Sequence, residues 1–448
     1  MKSVLTSAPL HKGSIFTHRE YLTLAIPLII SGISTPILGA VDTAVVGRLP
    51  DASAIGAVAL GAVIFNTMYW LLGFLRVSTT GLTSQANGAN DAKEMALACL
   101  RPMFLAVLIG SLFIILQIPI LKLSLYLFGT SESVGDLVST YFSIRIWGAP
   151  FALLNYVLIG WLMGLGKVKL SLSTQITMNV LNIVLDLLFV LVFGLGVAGV
   201  AYATVIAEIS AIFIGLFFMI RTKLIDLSMI QWRILIEKAP LVKMLKVNRD
   251  FFLRSICLLT MTVTFTTIGA RLGETALAAN AILLQIHYLM AYLLGGFANA
   301  SSIVVGRSIG SKQFPLFKRA LSLSLFWGTL SACLLSLIML LFDESIFKIF
   351  TSIEEVNNAV IELGIWMVIY PIAGFWALQL EGIFAGATDA KSVRNSIFYA
   401  LLAFVIVILI YGRDITPHEL WLSFTVFTLG RTVFLSMYVR KIERSNFR

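Results

Sequence analysis

The sequence predicts an all-α integral membrane protein with twelve transmembrane helices. They form two six-helix lobes related by an axis along the membrane normal. Three observations predict it: an apolar composition, a ladder of apolar runs of spanning length, and an internal repeat at constant offset. Of the 448 residues, 58% are hydrophobic and 12% charged, against about 25% charged in soluble domains. The mean hydropathy is +0.94.

Apolar runs of about 20 residues are long enough to cross a bilayer as helices. Twelve are expected, over residues 21–46, 55–79, 97–121, 138–164, 169–193, 197–220, 252–270, 277–305, 317–342, 358–386, 393–411 and 419–439. The basic residues orient them. With the N-terminus cytoplasmic, 25 of the 33 Lys and Arg fall on the inner side or its helix ends, and five on the outer: Arg48, Lys122, Arg271, Lys348 and Arg413. That asymmetry follows the positive-inside rule and puts both termini in the cytoplasm. The net charge of +10 is thus a topology signal, and no nucleic-acid partner is expected. The first twenty residues lack the apolar core of a cleavable signal, so a multi-pass plasma-membrane protein is expected.

The longest polar stretch, 221–254, divides the chain. Residues 1–220 form the expected N-lobe, 221–251 a cytoplasmic linker, partly helical on the inner membrane face, and 252–448 the C-lobe. The halves match at an offset of 222 residues: Gly47 with Gly269, Leu71-Leu72-Gly73 with Leu293-Leu294-Gly295, Gly88 with Gly310, Gly160 with Gly382, Gly164 with Gly386, and Lys169 with Lys391. Six spans is an even number, so both halves share one orientation, as alternating-access transporters built from parallel repeats do. The pairs Gly160/Gly164 and Gly382/Gly386 have the spacing of close helix contacts.

Carboxylates lie inside apolar runs. Asp42 sits in the run from Leu22 to Val46 and Asp186 in that from Leu170 to Phe193. An Asp at membrane depth costs at least ~2.5–3.5 kcal/mol on insertion scales, so it faces protein and has work to do. Gln175, Asn179, Asn182 and Asp186 share one face of span five; Ser31, Thr35, Gly39 and Asp42 share one face of span one. Thr204 and Glu208 lie one turn apart on span six. At ~1.5 Å per residue, Asp186 and Thr204 both lie about 10 Å below the outer surface. Asp42, Asn182, Asp186 and Thr204 are therefore expected to form an ion-coupling site. Two carboxylates in one low-dielectric pocket do not both ionise cheaply, which makes the pair a proton acceptor. The same oxygens form a hard cage that suits Na+. Pro27 and Pro36 are the expected hinges of span one, and Asn179 supports the site.

The run Pro36-Ile-Leu-Gly-Ala-Val-Asp42-Thr-Ala-Val-Val-Gly47 and the segment Leu380-Glu-Gly-Ile-Phe-Ala-Gly-Ala-Thr388-Asp, set in a six-plus-six plan, resemble the multidrug and toxic compound extrusion (MATE) family. Within it the chain is similar to the DNA-damage-inducible F branch. The resemblance covers essentially the whole chain. It implies cation-driven antiport of amphipathic, often cationic, small molecules, with H+ or Na+ as coupling ion and no cofactor. It also implies a functional constellation at Pro27, Asp42, Tyr141, Asn182, Asp186 and Thr204. The family's other branch draws a C-lobe sodium site from acids of spans seven and ten. Here span ten offers Glu381, but span seven, taken as Arg254 to Ala270, has no carboxylate, only Thr264 and Thr266.

Glu208 and Glu381 are secondary acidic candidates. Glu381 lies near the inner end of its span, where snorkelling, an inner gate and a cavity role compete. Glu208 and Arg431 are expected to pair with unidentified partners, and Arg145 to reach the interface. His287 is expected to pack. Met68, Gln175, Met178, Tyr288 and Tyr292, with Tyr69, Met163 and Met290, are candidate lining for an adaptable cavity. The run Gly160 to Lys167 lacks the phosphate-loop spacing and its Ser/Thr, so the energy comes from a gradient. No zinc-protease helix or nucleophile elbow is present, and no enzyme is expected. The competing function is flipping of lipid-linked precursors. Anionic pyrophosphate cargo calls for intramembrane Arg and Lys, whereas the carboxylates here favour cationic cargo. The unit expected to work is the monomer.

Overall fold

The computed structural model describes residues 16–48, 52–222, 235 and 237–447, with the side chains of residues 40, 42, 43, 46, 52, 222 and 413 outside that description. The described residues are helical, without strands. Twelve helices among them are long and apolar enough to cross a membrane.

In the first half these are α1 (His18–Val46), α2 (Ala52–Leu71) with α3 (Phe74–Gly88), α4 (Ala92–Ile115), α6 (Glu132–Arg145) with α7 (Ala149–Gly164), α8 (Val168–Asp186) and α9 (Gly196–Thr222). A short α5 (Gln117–Phe128) follows α4. In the second half they are α10 (Lys238–Arg271), α11 (Glu274–Gly310), α12 (Phe314–Phe350), α13 (Glu354–Leu363) with α14 (Ile365–Gly386), α15 (Ala390–Tyr411) and α16 (Pro417–Ser436). The last described helix is α17 (Val439–Phe447).

All twelve expected spans are present. Five are interrupted: at Leu72–Gly73, at Leu116, at a 3-10 turn over Ile146–Gly148, at Gly364, and at Met437–Tyr438. Span seven begins at Lys238, not near residue 252. Hydropathy registers the apolar middle of a helix, but the backbone hydrogen bonds run on into its polar ends. Of the expected linker, residues 223–234 and 236 lie outside the described residues.

Two compact units emerge. One contains Ile33–Met244; the other contains the part of α1 up to Gly32 together with the chain from Leu245. In the first, α7 is the central helix, packed on α3, α4, α8 and α9. In the second, α14 holds that place against α11, α12 and α16.

Glycines set the closest contacts. A Cβ on Gly160 would stand 2.5 Å from the Arg76 carbonyl oxygen, and one on Gly164 2.7 Å from that of Thr80. A Cβ on Gly382 would collide with the Ala298 carbonyl oxygen, and one on Gly386 with that of Ser302. These are backbone-to-backbone approaches, as the small-residue spacing predicts. The α3 face beneath the first pair carries buried Ser78, Thr79, Thr80, Thr83 and Ser84. Thr80 Oγ1 donates to the carbonyls of Arg76 (2.9 Å) and Gly160 (3.1 Å).

Candidate functional site

The buried face of α8 carries the expected polar series. Asp186 is fully buried, Asn179 and Asn182 nearly so, and Gln175 is half-buried. Asn182 Nδ2 donates to Asp186 Oδ2 at 2.9 Å, one turn apart on the same helix. Asn179 Nδ2 donates to Ser34 Oγ at 3.1 Å, which ties α8 to the second half of α1. Asp42 continues that half of α1, two turns beyond Ser34; its side chain lies outside the described residues. Spans one and five cross in the same direction. From the Ser34–Asn179 contact, ~1.5 Å per residue carries both acidic positions to within about 2 Å of one level.

Immediately after Asp186 the helix loosens into a π-helical turn, Leu187–Val192. Widened turns of this kind recur at functional sites, and no residue pattern announces this one. Thr204 is half-buried on α9, which packs on α8, and its hydroxyl donates to Val200 O at 2.9 Å. Tyr141 is buried on α6, its ring lying over Gly61 of α2 and edge-on to Phe65. Pro27 is buried and Pro36 half-buried, and α1 is helical through both.

Glu208 and Glu381 are both bound to arginines. Arg145 donates to Glu208 through Nη1 (2.8 Å) and Nη2 (2.6 Å), and its guanidinium lies over the rings of Phe65 and Tyr69. Arg145 is therefore buried within the first unit and does not reach the interface as expected. A helix rotation of one residue decides that outcome, and hydropathy does not report rotation. The 3-10 turn makes room for the pair: a Cβ on Gly148 would stand 2.6 Å from Arg145 Nη1 and 2.7 Å from Glu208 Oε2.

Glu381 is buried between two guanidinium groups. Arg254 Nε donates to Oε2 at 3.1 Å and Arg431 Nε to Oε1 at 3.0 Å. Both carboxylate oxygens are engaged inside the second unit, so Glu381 does not snorkel. Arg431 thereby gains the partner it was expected to have. Span seven also carries a carboxylate after all. Asp250, buried just before the apolar window, accepts from Arg394 Nη1 at 2.7 Å.

His287 packs its ring against Tyr370 and Phe424, as expected. Of the cavity candidates, Tyr288 and Tyr292 are each 41% exposed, and Met68 and Met178 are half-buried. Tyr69, Met163 and Met290 are buried. Tyr69 instead belongs to the Arg145 cluster, with its hydroxyl 3.4 Å from Nη1.

The MatE family model matches residues 27–188 and 251–410. The chain is 37% identical to the DNA damage-inducible protein F of Escherichia coli, over 94% of this chain and 92% of that protein. It is 27% identical to a probable multidrug resistance protein NorM of Agrobacterium fabrum, over 71% of this chain and 69% of that one. A solved structure of a MATE protein in the bent conformation superposes with a TM-score of 0.87 at 18% identity, covering 96% of this chain and 97% of the other. The chain is thus a multi-pass membrane protein that belongs to the MATE family of transporters.

Proposed function

We propose that this chain is a cation-coupled antiporter that exports amphipathic, often cationic, drugs and toxic compounds by alternating access. Its coupling site is the acidic pair Asp42 and Asp186 with Asn182 and Thr204. The proton is the coupling ion, and Na+ competes for the same oxygens. The chain works in the plasma membrane as a monomer with both termini in the cytoplasm, and it needs no cofactor.

One observation carries this reading. A fully buried Asp186 stands in a membrane span, on a helix tied through Asn179 and Ser34 to the stretch of α1 that leads to Asp42. A neutral Asn would join the helices as well without the cost of a buried acid. Proton binding at the pair removes the repulsion between the two carboxylates and lets them close together. Release restores the repulsion, and that difference is what a gradient can use.

The test is transport of a fluorescent lipophilic cation by proteoliposomes under an imposed proton gradient, a sodium gradient or none. Proton-driven accumulation is expected, falling to the level of empty liposomes in Asp42→Asn and Asp186→Asn. Folded variants that accumulate cargo as the wild type does would remove the acidic pair from the mechanism. Accumulation under sodium alone would reassign the ion.

A further inference from the structure

Away from the acidic site, the first unit holds a cavity of about 390 Å³ between the start of α4, α3 and the start of α10. Its walls are apolar where Leu82, Leu97 and Met244 line them, and charged where Arg101, Glu94 and Lys243 do. Arg101 is buried, and its Nη1 stands 3.4 Å from Glu94 Oε2, a long contact to a carboxylate that is itself 48% exposed. Lys243 is exposed at the rim. Among the described lining residues, two are cationic and one is anionic.

Position adds to chemistry. Both α4 and α10 start on the side that carries most of the basic residues. Arg101 lies about 14 Å along α4, a depth where headgroups give way to acyl chains. A planar guanidinium matches phosphate oxygens in pairs, and a lysine at the mouth adds a second point charge. The volume exceeds what a bare phosphate fills, and the apolar walls suit a glycerol and its first methylenes.

From these features we infer that the cavity binds the headgroup of an anionic phospholipid of the inner leaflet, the phosphate on Arg101 and Lys243 and the glycerol against Leu97 and Met244. Glu94 balances Arg101 in the lipid-free protein and swings towards water when phosphate arrives. The site is independent of the proposed coupling pair.

Native mass spectrometry of the delipidated full-length protein tests this, with phosphatidylglycerol, phosphatidylcholine and glycerol phosphate as probes. Phosphatidylglycerol is expected to be retained in preference to phosphatidylcholine. Lys243→Gln should weaken that retention about fivefold and Lys243→Glu should abolish the preference. Glu94→Gln removes the competing anion and should strengthen retention. Equal retention of the two lipids, or a preference that Lys243→Gln and Glu94→Gln leave unchanged, would overturn the inference. Retention of glycerol phosphate as tight as that of the lipid would do the same, since the site would then serve a soluble anion. Lys243 and Glu94 are both solvent-accessible, so neither test depends on a variant that threatens the fold.

Discussion

The two halves of the chain share their joints and differ in their charges. The offset of 222 residues that relates Gly160 to Gly382 also relates the backbone each one touches, Arg76 to Ala298 and Thr80 to Ser302. It relates the left-handed residues that end matching helices, Asn90 (φ 55°) to Lys312 (φ 54°) and Gly166 (φ 72°) to Thr388 (φ 56°). The acidic constellation has no such echo. Asp42, Asn182, Asp186 and Thr204 correspond to Thr264, Phe404, Ile408 and Val426. Glu381, Arg254 and Arg431 correspond to Ile159, Gly32 and Ile209, none of them charged. Where two backbones touch there is no room for change, so the joints keep their pattern. Chemistry carried on side chains a turn away is free to diverge. The first half therefore holds an acid beside an amide, and the second an acid locked between two bases.

The comparison can be broken at four points. The largest effect is expected at the joints. Gly382→Leu and Gly160→Leu both drive a side chain into a carbonyl that cannot move, at a cost above the about 1–3 kcal/mol of ordinary overpacking. Neither should yield folded protein by size-exclusion chromatography in detergent, and a folded Gly382→Leu would show that the joint is looser than the structure has it. Next comes the clamp. Glu381→Gln leaves buried Arg431 and half-buried Arg254 without their carboxylate and should cost about 3–5 kcal/mol in chemical unfolding. Glu208→Gln strands only Arg145 and should cost less than Glu381→Gln.

Asp186→Asn sharpens the contrast. Its neighbour Asn182 is neutral and an amide oxygen can accept the same hydrogen bond, so stability should change by less than about 1 kcal/mol. A loss as large as that of Glu381→Gln would make Asp186 a structural acid. The smallest effect is expected at the helix ends. Gly166→Ala places a Cβ at φ 72° and should cost about 1 kcal/mol. Thr388→Gly at the matching position should be neutral or slightly stabilising, read as a shift in thermal unfolding.

Much of this architecture is legible in the sequence. The twelve spans follow from apolar run length, and the contacts of Gly160, Gly164, Gly382 and Gly386 follow from their spacing. The hydrogen bond from Asn182 to Asp186 follows from residues one turn apart on a single face. What stays hidden depends on helix rotation and on partners far along the chain. Arg254 and Glu381 lie 127 positions apart, and no local pattern joins them. Asp250 escapes a hydropathy reading because it stands just outside the apolar window that defines its span. The breaks at Gly73 and Gly364 escape it because such a window averages over more than one turn.

The two longest helices have a practical consequence. α11 and α12 contain 37 residues each, about 55 Å of rod against ~30 Å of hydrocarbon. Even a tilt of about 40° leaves roughly three turns of each standing outside the hydrocarbon. The short Gly310–Phe314 connection holds these rods as a stiff antiparallel pair. An antibody fragment that grips the protruding turns would hold one orientation, a useful fiducial for electron cryomicroscopy of a 49.2 kDa membrane protein.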